Sequence, residues 1–229
     1  MTASVGVFGA EGRMGRAIID VLAQAKDVKL GSQIDKENLK DLKSKKTPTL
    51  DVVIDFSSPQ GTVEVCRWCV ENKVPLVVGT TGLGSKENEV LKKASKEIPI
   101  FASPNMSPGV FGLIGALKTF LKTVSEGEIF IEEVHHHHKK DAPSGTAKAL
   151  YEAVKDAAPK GVTVTAPHSI RAGDIFGIHR VQFFTEGEWV SFEHHATSRL
   201  VFAKGAVTAA RWLLGQSPGL YQMKDMLAP

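Results

Sequence analysis

The chain has 229 residues, 42% of them hydrophobic and 23% charged, with a mean hydropathy of −0.06. That composition excludes a collagen, a coiled coil and a largely disordered chain, and the length allows a real core in one large domain or two small ones. The 28 Lys and Arg against 25 Asp and Glu leave a net charge of +3, too weak to argue for nucleic acid without a basic and aromatic motif; no apolar run approaches the ~20 residues of a bilayer span.

The opening Met1-Thr2-Ala3-Ser4 lacks the basic and apolar regions of a signal peptide, so the expected compartment is the cytoplasm. The first hundred residues then alternate. Val5 to Phe8 reads as a short buried strand. Arg13 to Ala25 has helical spacing, with Met14, Ile18, Val21 and Leu22 on one face. Val28 to Ile34 is a second strand, and Lys36 to Lys46 a charged short helix and loop. Asp51 to Phe56 is a third strand, and its apolar continuity predicts burial on both faces. Pro59 to Glu71 is a helix with proline in its first turn, Leu76 to Val78 a strand, Ser85 to Glu97 a helix and Ile98 to Ala102 a strand. Lys43 to Lys46 and Lys92-Lys93 read as solvated surface. This alternation predicts an α/β, Rossmann-type doubly wound parallel sheet.

After Asn105 the pattern changes. Gly109 to Val124 reads as a long apolar helix, Glu128 to Val134 as an alternating strand and Ser144 to Ala157 as a helix. Val162 to Ala166, Ile178 to Thr185 and Trp189 to His195 are strands, with turns at Gly173 and Gly187. That is an α+β domain with a mixed or antiparallel sheet. Ala206 to Leu214 is helical and is expected to pack back on the first domain.

Cys66-Arg67-Trp68-Cys69 allows a redox pair or two half-buried thiols one helical turn apart. The second reading is favoured, because Trp68 sits between the thiols and a lone buried cysteine behaves as a small hydrophobe.

The turn Gly9-Ala10-Glu11-Gly12-Arg13-Met14-Gly15 joins the first strand to the first helix. Glycines there permit a tight turn and close approach of a pyrophosphate, and the helix start supplies free N–H groups. The spacing is G-x-x-G-x-x-G, with Glu11 where a second glycine is usual. Context supplies the rest, because Asp35 ends the second strand twenty residues past Gly15, where a carboxylate can bind an adenosine ribose. The carboxylate favours NADH, while Lys36 can offset repulsion of the 2′-phosphate of NADPH. Gly79-Thr80-Thr81-Gly82 and Ser103-Pro104-Asn105-Met106 fall after strands of the same sheet, at the edge where ligands bind.

The densest chemistry is Glu132-Glu133-Val134-His135-His136-His137-His138-Lys139-Lys140-Asp141-Ala142-Pro143-Ser144-Gly145-Thr146. His135 and His137 could converge on a metal as alternate strand residues, but no acid or cysteine set completes a site, so none is expected. The favoured reading is an acid–base and anion-binding group. The N–H groups of Ser144 to Ala147 face a carboxylate, Lys139 and His136 add charge, and His135 exchanges a proton near neutral pH.

These motifs, with Arg171-Ala172-Gly173-Asp174 and Ser198-Arg199-Leu200-Val201-Phe202-Ala203, resemble the dihydrodipicolinate reductases of bacterial lysine and diaminopimelate synthesis along the whole chain. The resemblance implies a dinucleotide-binding domain over 1–106 and 200–229. It also implies a substrate-binding and tetramerisation domain over 107–199 inserted into the first, and assembly as a homotetramer. It implies reduction of 4-hydroxy-tetrahydrodipicolinate, a cyclic dicarboxylate, by NADH or NADPH. His135 and Lys139 then stand at catalytic positions, and His136, Ser144, Gly145 and Thr146 at substrate positions. Gly9, Ala10, Glu11, Gly12, Arg13, Met14, Asp35, Lys36, Gly79, Thr80, Thr81, Ser103, Pro104, Asn105 and Met106 stand at cofactor positions. The chain is short for the family after Asp35 and before Arg171, and His137 replaces a common arginine. His194 reads as structural. An amino-acid dehydrogenase of the same architecture, or a dinucleotide sensor, would share the first domain but would not need Lys139 together with Ser144-Gly145-Thr146.

Overall fold

The computed structural model describes residues 2–35 and 49–227. In chain order its elements are β1 (Ala3–Phe8), α1 (Arg13–Ala23), β2 (Val28–Ile34), β3 (Val52–Asp55), α2 (Pro59–Asn72), β4 (Leu76–Val78), α3 (Ser85–Ala94), β5 (Pro99–Ala102), α4 (Pro108–Phe120), β6 (Glu126–His135), α5 (Gly145–Ala157), β7 (Gly161–Val164), β8 (His168–Arg171), β9 (Gly177–Thr185), β10 (Glu188–Ala196), α6 (Leu200–Leu213), β11 (Gly219–Tyr221) and α7 (Met223–Leu227). The chain divides into two compact units, Met1–Met106 with Leu200–Pro229, and Ser107–Arg199.

The first unit is built on a six-stranded sheet in the order β11-β5-β4-β3-β1-β2. Every pairing in it is parallel. All four residues of β3 are buried, as expected of a strand covered on both faces. Alternate residues serve the two faces. Val53, Leu76 and Ile100 pack with Val65 and Trp68 of α2 and Leu91 of α3, whereas Phe101 meets Trp212 of α6 edge-on at 6.2 Å. Helix α2 is fixed at its start by Pro59 and by the Ser58 hydroxyl, which accepts the Gly61 N–H at 3.2 Å. It stops where Lys73 turns left-handed at φ 56°.

The second unit carries a five-stranded mixed sheet in the order β10-β9-β6-β7, with β8 also on β6. Strands β7 and β8 run parallel to β6; β9 runs antiparallel to both β6 and β10. Helices α4 and α5 supply Leu117, Leu121, Leu150 and Val154 to a core completed by Ile129, Ile131, Val181 and Phe183. The two sheets agree with the predicted fold class.

Some elements differ from their sequence reading. The apolar helix ends at Phe120 rather than Val124, and α6 begins at Leu200 rather than Ala206. Strands β8 and β11 and helix α7 were not anticipated. β8 is short, polar and largely exposed, so hydropathy gives it no period; it exists because Glu132 to His135 of β6 pair with it. Cys66 and Cys69 are fully buried, not half-buried. Burial pushes the Cys66 thiol up to about 11 and holds that of Cys69 well above its ordinary value. Neither is a thiolate nucleophile, and both serve packing. Lys92 and Lys93 are exposed, as expected. The segment Lys36 to Lys46 lies outside the described residues.

Helix α6 approaches the chain at Met106 so closely that a Cβ on Gly205 would lie 1.7 Å from the Met106 carbonyl oxygen. Gly205→Ala is therefore expected to lower the unfolding free energy by about 2–3 kcal/mol, the cost of overpacking against backbone, as read from urea denaturation.

Candidate active site

Strand β1 lies between β2 and β3, so the chain crosses the sheet at this point and opens a crevice at the strands' carboxyl ends. The glycine-rich turn occupies it. Gly9 has φ 81°, and a Cβ there would meet the Phe56 carbonyl oxygen at 2.6 Å, so only glycine fits. The Gly9 and Ala10 amides donate to the Ile34 carbonyl at 2.8 and 3.3 Å, which ties the turn to the end of β2. Gly12 caps α1 with no side-chain acceptor, leaving the helix start for an anion. Glu11 and Arg13 are exposed and Met14 is half-buried. The Asp35 carboxylate receives the Glu11 amide at 3.3 and 3.4 Å. A cavity of about 280 Å³ is lined by Gly9, Gly12, Asp35, Ser57, Ser58 and Gln60, among others. A glycine cradle, an uncapped helix start and a carboxylate on one cavity suit a dinucleotide. Lys36 lies outside the described residues.

Of the other two predicted cofactor segments, the one after β4 is held by a buried acid. Asp55 ends β3 and is fully buried. It accepts the Ser57 hydroxyl at 2.6 Å, the Thr62 hydroxyl at 2.5 Å and the Thr80 hydroxyl at 3.1 Å. Burial drives its carboxyl upward, against those hydrogen bonds. Gly79 and Thr80 are buried, with the Phe56 ring filling the space a Gly79 side chain would need, and Thr81 is exposed. In the last segment the Ser103 hydroxyl donates to the Asn105 carbonyl at 2.5 Å. Ser103, Asn105 and Met106 are buried and only Pro104 is exposed.

In the second unit the chemistry gathers at the carboxyl end of β6. Ile129, Ile131, Glu133 and His135 share its buried face, so the alternation that builds the core also drives a carboxylate into it. Glu133 is fully buried. Its Oε1 accepts from Arg171 Nη2 at 2.8 Å and from the Ser144 amide at 3.1 Å. Its Oε2 accepts from Arg171 Nη1 at 2.9 Å and lies against His135 Nδ1. Burial would raise the carboxyl, but hydrogen bonds from His135, Arg171 and Ser169 outweigh it and hold Glu133 below the carboxylate range.

Register places His179 of β9 opposite Glu133, and His194 of β10 opposite His179. His179 is 3% exposed, its Nε2 is 3.1 Å from the Ser144 hydroxyl, and its ring stands edge-on to His135 at 5.1 Å. Burial drops it to about 3, assisted by charge on His135. His194 contacts the Ser107 hydroxyl at 3.1 Å through Nε2. This contact ties the residue before α4 to the sheet.

The structure brings His135, Ser144 and Glu133 into one network. Lys139 Nζ lies 2.7 Å from Asp141 Oδ1 in the following loop. The Asp141 carboxyl is pushed up by burial but pulled lower by the Lys139 hydrogen bond. The His136 amide donates to the Ile175 carbonyl at 2.8 Å and the His137 amide to that of Gly173 at 3.2 Å, which anchors the histidine run. Two sequence readings are corrected. Strand β6 ends at His135, so strand alternation does not relate His135 to His137, and no metal-binding group of His, Cys, Asp or Glu occurs among the described residues. The anion donors are fewer than expected. The Ser144 amide goes to Glu133 and the Ala147 amide to the Ser144 hydroxyl at 3.1 Å, so two of the four N–H groups are committed within the chain. Gly145 and Thr146 open α5 beside them.

Glu133, Arg171, His179 and Asp55 were missed as site residues. Glu133 had a signal, since it shares parity with Ile129 and Ile131 in an alternating strand. So did His179, at the parity of Val181 and Phe183. A polar residue on a core face needs a partner.

Known proteins resemble this chain over nearly its whole length. Family profiles described as dihydrodipicolinate reductase, N-terminus, and dihydrodipicolinate reductase, C-terminus, match residues 3–106 and 109–227. A protein named 4-hydroxy-tetrahydrodipicolinate reductase in Bdellovibrio bacteriovorus is 43% identical over 97% of this chain and 95% of its own length. A protein of the same name in Campylobacter curvus is 39% identical over 98% of each chain. Among solved structures, a dipicolinate-bound dihydrodipicolinate reductase from Paenisporosarcina sp. TG-14 shares the fold with a TM-score of 0.76. It is 20% identical and covers 99% of this chain and 100% of its own.

His179 is neutral when folded and protonatable when unfolded. The unfolded chain therefore binds more protons between pH 6.5 and about 3, and stability falls as pH drops through that window, by up to about 1.4 kcal/mol per pH unit. Replacing His179 with Gln is expected to flatten this part of the profile, measured as urea midpoints from pH 7 to pH 4.

Proposed function

This chain belongs to the dihydrodipicolinate reductase family, and on that premise we propose how its residues carry out the family's reaction. The activity is the reduction of 4-hydroxy-tetrahydrodipicolinate to tetrahydrodipicolinate and water, in lysine and diaminopimelate synthesis. The observation that carries the assignment of roles is the network of Glu133, His135 and Ser144 at the end of β6, with Lys139 on the loop that follows.

The first unit is the dinucleotide-binding domain and the second the substrate domain. Gly9, Ala10, Glu11, Gly12, Arg13 and Met14 hold the pyrophosphate. Asp35 faces the adenosine ribose, Lys36 follows it in the chain as a cofactor position of the family, and Gly79 to Thr81 and Ser103 to Met106 wall the remainder. The reduced nicotinamide, when bound, supplies hydride. The start of α5, through Gly145 and Thr146, receives one substrate carboxylate, and His136 adds positive charge. Hydride arriving at ring carbon four and the hydroxyl leaving as water together consume one proton. Lys139 delivers that proton as charge moves toward the ring nitrogen, with His135 assisting. Asp141 keeps the ammonium in place.

The Asp35 carboxylate supports NADH as the better cofactor, because it pairs with a ribose hydroxyl and repels a 2′-phosphate. The open face of the second sheet supports assembly into a homotetramer. Trp189 is 60% exposed there, stacked on Phe184 at 6.0 Å and 12°, and bare apolar surface of this kind seeks a partner. The compartment is the cytoplasm.

Three outcomes test this reading. Aspartate semialdehyde and pyruvate, passed through the preceding synthase, should give oxidation of NADH that depends on both proteins and is faster than that of NADPH; no oxidation by folded protein that binds dinucleotide refutes the assignment. Lys139→Ala should lower kcat on the order of 100-fold or more while dinucleotide affinity stays unchanged. Trp189→Glu should convert the tetramer to smaller species in sedimentation velocity.

A further inference from the structure

We infer that Glu133 is a positioning residue for His135. It holds the ring proton on Nδ1 and so presents Nε2 as the nitrogen that exchanges a proton, facing the space left open by Gly177. The inference rests on the proposed role of His135 in the reaction and adds which nitrogen acts and what selects it.

The first argument is the chemistry of the donors. A carboxylate has about four acceptor sites and, once ionised, no donor. Both nitrogens of the Arg171 fork and the Ser144 amide take three sites of Glu133 at 2.8, 2.9 and 3.1 Å. A guanidinium keeps its charge at any ordinary pH, so the bidentate pair holds Glu133 anionic. An anion with no proton to give faces His135 Nδ1. Nδ1 must therefore be the N–H, whether the imidazole is neutral or charged. Changes in protonation then fall on Nε2 alone.

The second argument is space. A Cβ on Gly177 would lie 2.9 Å from His135 Nε2 and 3.5 Å from His179 Cε1. The φ of Gly177 is not among the positive values of the chain, so backbone conformation does not demand glycine at this position. Room beside Nε2 does. The two ring nitrogens thus meet opposite conditions, one gripped by a buried anion and one given clearance. His179, edge-on at 5.1 Å, walls the ring from a further side.

A consequence joins the two halves of the site. Oε2 of Glu133 sets the imidazole while Oε1 receives the amide of Ser144, the residue that caps α5. One carboxylate therefore fixes both the proton-exchanging group and the start of the helix proposed to receive the substrate.

Tautomer-resolved NMR tests this without recourse to turnover. Protein labelled with ¹⁵N-histidine is followed by two-bond ¹H–¹⁵N correlation as pH is raised until His135 is neutral, with His135→Gln providing the assignment. The expected pattern is a protonated Nδ1 and a bare Nε2; a proton on Nε2 of the neutral ring would overturn the inference. In Glu133→Gln the amide oxygen turns to Arg171 and its NH₂ faces His135, so the proton should move to Nε2. The kcat should then fall on the order of 100-fold or more with little change in KM, as when the orienting carboxylate of a triad is amidated. A Glu133→Gln protein that is folded and active with the wild-type tautomer refutes the idea. Gly177→Ala leaves the carboxylate network intact and crowds Nε2, and should lower kcat at least tenfold with an unchanged unfolding midpoint; unchanged kcat refutes the role given to Gly177. Failure of the wild-type protein to reduce the dicarboxylate would overturn the functional assignment, while the tautomer pattern would still be read.

Discussion

A charge inside an apolar layer sets the terms for the second unit. Glu133 occupies a position on β6 that its neighbours Ile129 and Ile131 fill with hydrocarbon. Left alone, such a carboxylate would cost several kcal/mol or take up a proton. Arg171 prevents both, and it can do so only because β8 lies parallel to β6 in a register that sets Ser169 beside Glu133 and Arg171 beside His135. The Ser144 amide must also point inward, which fixes where α5 begins. A four-residue strand, a helix start and an imidazole are placed by the needs of one side chain.

The first unit solves a similar problem differently. Asp55 is equally buried at the end of β3, but the partners shown for it are hydroxyls and an amide rather than a cation. Hydroxyls can reorient and ion pairs resist it, so burial still pushes Asp55 upward while Glu133 is pulled down. The reach of Asp55 is what matters for function. It connects the segment after β3 through Ser57, the helix α2 through Thr62 and the loop after β4 through Thr80, and the first two of these line the cavity at the glycine-rich turn.

The sequence was informative wherever a local rule decides the outcome. The glycine turn, the proline start of α2 and the continuous apolar strands follow from neighbouring residues, and so do both sheets. It was silent where a distant partner decides. β8 carries no hydropathic period, and β11 has three residues that become a strand only beside β5. The commitment of the Ser144 amide could not be read from a helix-start motif, because its acceptor lies eleven residues earlier in the chain. Glu133 and His179 lie between these cases. Their parity on alternating strands marked them as inward-facing, but which partners would meet them depends on register, which a single strand does not contain.

The first unit is discontinuous, and that has a bearing on synthesis. Its chain leaves at Met106 and resumes at Leu200, and the returning stretch brings both α6, which packs on β3, β4 and β5, and the edge strand β11. The inserted unit is continuous from Ser107 to Arg199, so on the ribosome it can close while one face of the earlier sheet still lacks its covering helix. The glycine-rich turn emerges first, yet the sheet that supports it is completed last. For the interval between, the nascent chain carries Val and Ile strands without one of their covering helices, a surface a chaperone can recognise, and the unit begun first is the one completed last.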